Sequence, residues 1–263
     1  MKFFFKKIFK SIFLFPISSK SKIDFYQEQI RQLEWNAIMP HIPAGSSFLD
    51  VGCGAGYSIM KAYSELGCDV KGIDPAPGAH GVGRFTEGLW KERPIIQGSA
   101  EALPFEDGVF DVVYSSHVLE HVENETQAIN EMKRVLKPGG ILIIGMPTAA
   151  MSWVALFSSW FFTTHISLYH FIKSVGKKDM HTRFIQILVP RSHSYPRAKW
   201  MYYDVFHYRI LHWRKFIKSH FFISQIVTPG LYPYPDYIQW FPRMKIGKLS
   251  SSVFFICKHT SNV

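Results

Sequence analysis

The sequence predicts an α/β fold: a doubly wound, mostly parallel seven-stranded sheet with a long apolar insertion after the fifth strand. Three observations carry this. Apolar runs of strand length alternate with helical segments between residues 47 and 146, a pattern that calls for a parallel sheet covered by helices on both faces. The first run, Phe48, Leu49 and Val51, leads into glycines at alternate positions, Gly52, Gly54 and Gly56. Such a turn lets backbone approach a ligand closely. From Gly145 to Ile172 there is no Asp, Glu, Lys or Arg, which marks a segment of a different kind.

The elements follow in order. Residues 1–15, MKFFFKKIFKSIFLF, set Phe5, Ile8, Phe9, Ile12 and Phe13 on one helical face and gather Lys2, Lys6, Lys7 and Lys10 mainly on another. That is a basic amphipathic helix of the kind that lies in a membrane interface, too short to span one. Its interrupting lysines and the absence of a small-residue cleavage site do not suit a secretory signal. Residues 17–22 read as a linker and 24–39 as a helix, with Asp24 as N-cap and Pro40 and Pro43 as terminators. Strands are expected near 47–51, 69–73, 94–97, 110–115 and 140–146. Helices are expected near 57–67 and 125–136, with shorter ones near 100–104 and 117–122. The stretch PAPGAHGVGRF after Asp74 is too rich in Pro and Gly for a helix. A helix over 207–219 and strands near 221–227 and 252–258 close the fold, with a Pro- and aromatic-rich loop at 230–247 between them. The organisation is therefore a basic segment and linker (1–22), a core (23–147), an insertion (148–206) and a closing helix with two strands (207–263).

Charge follows the same division. Residues 1–22 carry six Lys and no acid, residues 23–150 nine basic and 17 acidic residues, and residues 151–263 fifteen basic residues and three Asp. An acidic core flanked by basic segments points to an anionic partner for the flanks, such as a membrane surface. Cys53, Cys68 and Cys257 make no metal-ligand spacing and suit a reducing compartment. Cys53, inside the glycine turn, fits a packing role. The uncharged insertion is long enough to cross a bilayer, yet its Ser, Thr and His residues suit a lid or an interface-dipping hairpin better.

Chemistry-bearing residues cluster near strand ends. Asp74 closes the second strand roughly 20 residues after the glycines, where an acid accepts hydrogen bonds from the ribose of an adenosine ligand. Asp50 supports the turn or a ligand's ammonium. His117 and His121 share a helical face, and such a pair can hold a metal, but no third ligand stands at a suitable spacing, so no metal is expected. An imidazole also titrates near neutrality, which makes His117 a candidate general base for a hydroxyl acceptor.

The segments FLDVGCGAG, EALPFEDGVFDVVYSSHVLEHV and RVLKPGGILII resemble the class I S-adenosylmethionine-dependent methyltransferases, in particular the type 11, quinone-methylase-like group, over residues 45–147. The resemblance implies S-adenosylmethionine as co-substrate, held by Asp50, Gly52, Gly54, Gly56, Asp74, Ser99, Ala100 and Ser115. It also implies a helix before the core that lies over the donor, a structural role for His121, and a closing antiparallel strand pair. Ser99 stands where the family offers an acid to the adenine, a departure that weakens that contact. Glu101 is expected to face solvent. A nicotinamide enzyme fits poorly, because KPGG before a strand and LPF–FDVV belong to the methyltransferase pattern. The expected acceptor is a small molecule, lipophilic or membrane-tethered: a lipid, quinone or glycan. The expected location is the cytoplasm, peripheral on the inner face of the membrane. Two other readings are a nucleic-acid methyltransferase using Trp200, Tyr202, Tyr203 and Trp213, and an inactive methyltransferase-fold binding subunit.

Overall fold

The computed structural model describes residues 20–79, 95–162, 164–189, 192–194, 200–232 and 249–259. The helix expected at 1–15, residues 80–94 of the Pro/Gly loop and residues 233–248 of the aromatic loop lie outside them. The described residues begin with α1 (Lys20–Ile38) and a 3-10 turn (Met39–His41), followed by β1 (Ser47–Val51), α2 (Tyr57–Leu66), β2 (Asp69–Asp74), β3 (Ile95–Gln97), β4 (Phe110–Ser116), α3 (Glu125–Val135) and β5 (Leu136–Pro147). Four helices come next: α4 (Ala149–Phe162), α5 (Thr164–Ser174), α6 (Met180–Leu188) and α7 (Met201–His207). The chain closes with α8 (Ile210–Lys218), β6 (Phe222–Val227) and β7 (Ser252–Lys258).

The strands form one sheet in the order β3-β2-β1-β4-β5-β7-β6. β1 to β5 are parallel, and β7 runs antiparallel to both β5 and β6. The register sets Val51 between Ile73 and Ser115. The carboxyl ends of β1, β2 and β4 therefore share one edge, where open α/β sheets hold ligands.

Alternation along the strands explains why helices cover both faces. Leu49 and Val113 pack on one side with Ile129 and Met132 of α3 and Trp213 of α8. Their neighbours Phe48 and Val112 pack on the other with Trp35 and Ile38 of α1 and Ile59 of α2. A central strand buried on both faces has no polar side to spare, so its residues read as a near-continuous apolar run. In α3 the buried Ala128, Ile129, Met132 and Val135 recur at helical spacing, and Asn124 caps the helix by accepting the Gln127 N–H at 3.0 Å.

Several expectations need correction. The helix placed at 24–39 starts earlier, at Lys20, so residues 20–22 are not linker. Residues 100–104 and 117–122 form turns. The second cannot be a helix because His117 sits at φ 57°, in the left-handed region, with its N–H on the Gly145 carbonyl at 2.9 Å. The Lys-Pro-Gly-Gly turn is part of β5. Phe110 pairs with Leu136 and Val112 with Ile141, so Lys137–Gly140 bulge out, helped by Gly139 at φ 77°. The helix expected at 207–219 is α8, over 210–218; it starts three residues later because the buried Tyr208 turns its carbonyl to the Ala149 N–H at 2.9 Å and separates it from α7. Among the described residues no helix is long and apolar enough to cross a membrane; the uncharged stretch is divided between α4 and α5.

Candidate active site

The turn after β1 is built by left-handed glycines. Gly52, Gly54 and Gly56 adopt φ of 78°, 52° and 85°, a region that costs other residues strain. The Gly52 N–H bonds the Ile73 carbonyl at 2.7 Å, and a Cβ there would stand 2.2 Å from Val118 Cγ2. The Gly54 N–H donates to Asp74 Oδ2 at 2.8 Å, while Asp74 Oδ1 accepts the Ala76 N–H at 2.8 Å. Gly56 opens α2, whose first N–H groups face this edge. Asp50 is buried beside the turn. Burial pushes its carboxyl up to about 8; the Asp74 charge adds to this, while Arg31 and a hydrogen bond from Ser58 oppose it. Cys53 is buried, and burial raises its thiol well above the usual range, consistent with packing rather than nucleophilic work.

The next segment stands beyond β3. Ser99 is exposed and its Oγ accepts the Glu101 N–H at 3.2 Å; Ala100 is buried. Glu101 is not simply solvated: its Oε1 accepts the Asn124 N–H at 2.6 Å and ties this turn to the start of α3. Arg134 holds the rest of the LPF stretch, donating to the carbonyls of Leu103 (2.9 Å) and Phe105 (2.7 Å), while Glu131 accepts the Leu103 N–H at 2.8 Å. At the end of β4 the Ser115 hydroxyl is buried and has no hydrogen-bond partner among the described residues.

His117 follows directly. Its Nε2 meets Ser252 Oγ at 2.9 Å and stands 3.6 Å from Glu34 Oε1, and its Nδ1 stands 3.3 Å from Glu120 Oε1. Burial opposes charge on the ring, but the carboxylates of Glu120 and Glu34 outweigh it and push His117 up to about 9. Near neutrality the ring is therefore an imidazolium, and base action requires that proton to leave first. Glu34, on α1, also accepts Ser252 Oγ–H (2.7 Å), Arg31 (2.8 Å) and the Tyr232 hydroxyl. Arg31 and His117 hold it well below the usual carboxylate range despite its burial. The helix before the core thus reaches the strand edge through Glu34.

The insertion reaches this edge through residues 192–194. His193 Nε2 lies 3.7 Å from Glu120 Oε1, and its ring is 5.1 Å from that of His121. Burial pushes His193 down to about 4. Asp204 of α7 fixes the turn, accepting Ser192 Oγ–H at 2.5 Å and the His193 N–H at 2.8 Å. By contrast Trp153 and Phe157 are about half exposed and stack on each other, so they do not wall this edge. His170 is exposed as well, and the side chains of Trp160, Phe161 and His165 lie outside those described. Sequence reasoning missed Glu34, Glu120, His193 and Ser252 as site residues. Glu120 alone left a signal, an acid within an otherwise apolar VLEHV run; the others meet only through the fold.

The comparisons agree with this geometry. Residues 49–144 match the family model described as "Methyltransferase domain". An uncharacterized methyltransferase of Mycobacterium sp. (strain JLS) is 30% identical over 149 residues, 57% of this chain and 54% of the relative. Another, from Mycobacterium tuberculosis (strain ATCC 25177 / H37Ra), is 39% identical over 113 residues, 42% of each. The chain thus spans about half the length of the curated relatives it matches. Among solved structures, an S-adenosylmethionine-dependent methyltransferase from Thermotoga maritima superposes with a TM-score of 0.53 at 17% identity, covering 89% of this chain and 91% of that one. One from Mesorhizobium loti does so with a TM-score of 0.50 at 16% identity, covering 86% and 97%; at such identities these two establish the fold. Residues 49–144 thus match a methyltransferase domain, and the chain shares the fold of S-adenosylmethionine-dependent methyltransferases of solved structure.

Proposed function

We propose that the chain transfers a methyl group from S-adenosylmethionine to a small lipophilic or membrane-tethered acceptor, such as a lipid, quinone or glycan, at the carboxyl edge of the sheet. The observation that carries the donor half is the Gly54–Asp74 contact at 2.8 Å, which joins the glycine turn to the acid at the end of β2. Backbone N–H groups of Gly52, Gly54 and Gly56 suit the donor's carboxypropyl arm, the Asp50 carboxyl its ammonium, and Asp74 its ribose, with Ser99, Ala100 and Ser115 toward the adenine and the reacting end. S-adenosylmethionine supplies a methyl already activated on a sulfonium, so the protein's task is alignment and exclusion of water. α1 and the 192–194 turn cover the strand edge and serve the second of these.

The acceptor half rests on the insertion. Trp153 and Phe157 of α4, which stack on each other, Leu168 and Ile172 of α5, and Phe206 of α7 are exposed. With the lysines and phenylalanines of residues 1–15, they support a face resting on an anionic membrane on the cytoplasmic side. Incubation with methyl-labelled S-adenosylmethionine and fractionated lysate tests the reading. Label in the lipid or glycolipid fraction supports it; label in nucleic acid overturns it.

A further inference from the structure

His117, Glu120 and His193 come from two separate parts of the chain, the end of β4 and the insertion, and converge without an apparent structural need. One donor atom from each lies within 4.8 Å of the others. Two of the three separations are known: 3.3 Å from His117 Nδ1 to Glu120 Oε1, and 3.7 Å from His193 Nε2 to the same oxygen. Ligands on a tetrahedral ion with bonds of about 2.0–2.1 Å stand about 3.4 Å apart, so these two edges already have the right size. Glu120 is only 1% exposed. Apart from those ring nitrogens, no hydrogen-bond donor among the described residues reaches either of its oxygens. A buried carboxylate whose only partners are ring nitrogens is costly; the His117 imidazolium offsets it, and a metal ion here takes the place of the Nδ1 proton, so binding releases that proton.

The surroundings match what metal-bound imidazoles require. With Nδ1 of His117 as ligand, its Nε2–H points at Ser252 Oγ (2.9 Å), which in turn donates to Glu34 Oε1 (2.7 Å). This relay to a buried carboxylate fixes the tautomer and strengthens the ligand. His193 is held by its own backbone, whose N–H donates to the buried Asp204. We propose that His117, Glu120 and His193 form a site for a divalent first-row transition metal of the zinc type, at the edge where the acceptor is expected. Two imidazoles and one carboxylate leave a coordination position open, which suits binding an oxygen or sulfur atom of an acceptor. The sequence shows only the His117–His121 pair; the fold supplies the missing ligands.

The test is metal binding by the full chain without an affinity tag, after chelator treatment. Cobalt(II) is titrated in and followed by its visible absorption, and zinc(II) is then added in competition and followed by calorimetry. The expected result is one equivalent bound with four-coordinate cobalt bands that zinc abolishes. Glu120→Gln and His193→Ala each weaken binding at least tenfold, whereas replacing the outlying His207 and His212 by Ala changes nothing. Binding that persists unchanged in Glu120→Gln and His193→Ala, or that disappears with the His207/His212 variant, overturns the proposal, as does no binding at all. S-adenosylhomocysteine affinity is measured on every variant. It reports folding and the donor cradle separately, so loss of the metal site and loss of the methyltransferase reading are distinguishable.

Discussion

Asp74 accepts the Gly54 N–H at 2.8 Å across the edge of the sheet, so the acid ending β2 and the middle glycine of the turn after β1 form one unit. The 20-residue separation in sequence closes because β1 and β2 are parallel neighbours with Val51 beside Ile73. A glycine at φ 52° presents its N–H without a side chain in the way. The remaining acceptor capacity of the Asp74 carboxylate is what a ribose needs.

The pH dependence of the cradle follows from Asp50. Its folded carboxyl titrates at about 8 because burial favours the neutral form, so the folded state holds a proton that the unfolded chain releases near the ordinary carboxylate value. Ligand-free stability therefore declines as pH rises from about 4 toward about 8. Affinity for S-adenosylhomocysteine, whose ammonium favours the carboxylate form, rises over the upper part of this window. Asp50→Asn should make both slopes shallower in chemical denaturation and calorimetry carried out from pH 6 to 8.5; the stability slope that remains belongs to His117, which is raised to about 9 and also loses stability as pH rises.

Arg134 clamps the loop that follows β3. Arg134→Met removes donors to the Leu103 and Phe105 carbonyls and the ion pair with Glu131. Hydrogen bonds from charged groups contribute about 1.5–3 kcal/mol each, with partial water replacement at a half-exposed site reducing this. A Tm lowered by a few degrees and a several-fold weaker adenosine affinity are expected, read by thermal melts and calorimetry.

The proposed membrane association should depend on both the basic segment at 1–15 and the uncharged apolar surface of α4. Removal of residues 1–20 should release much of the protein from anionic vesicles in a flotation assay, and salt should weaken what remains. The double change Trp153→Ser and Phe157→Ser alters two exposed stacked rings and should lower vesicle binding further while leaving S-adenosylhomocysteine affinity unchanged. Equal flotation with neutral and anionic vesicles would count against the lysine contribution.

The core was legible in the sequence because its constraints are local. Strand periods, glycines at alternate positions and an acid at a strand end appear within short windows, and the seven strands stand within a few residues of their expected bounds except β5, which also takes in the Lys-Pro-Gly-Gly stretch as a bulge. What was not legible depends on long-range contacts. His117 leaves the helical region to place its ring between Glu34 and Glu120, which stand 83 positions before and three after it in sequence. No periodicity signals that choice. Likewise α8 starts three residues later than expected because the Tyr208 carbonyl serves Ala149 and its hydroxyl meets Ser194. In the insertion Trp153 and Phe157 stack on each other half exposed, while the contact with the strand edge is made by His193, which no spacing rule marks.

The donor cradle is tested most directly by calorimetry of S-adenosylmethionine on the wild-type chain and on Gly54→Arg and Asp74→Ala. Wild type should bind one equivalent at ~μM affinity, a usual figure for such sites. Arg at Gly54 fills the approach and is strained at φ 52°, so binding should vanish; Ala at Asp74 removes the carboxylate and should weaken binding about 10- to 100-fold. Affinity unchanged in both variants, with their folds intact by circular dichroism, would contradict the assignment.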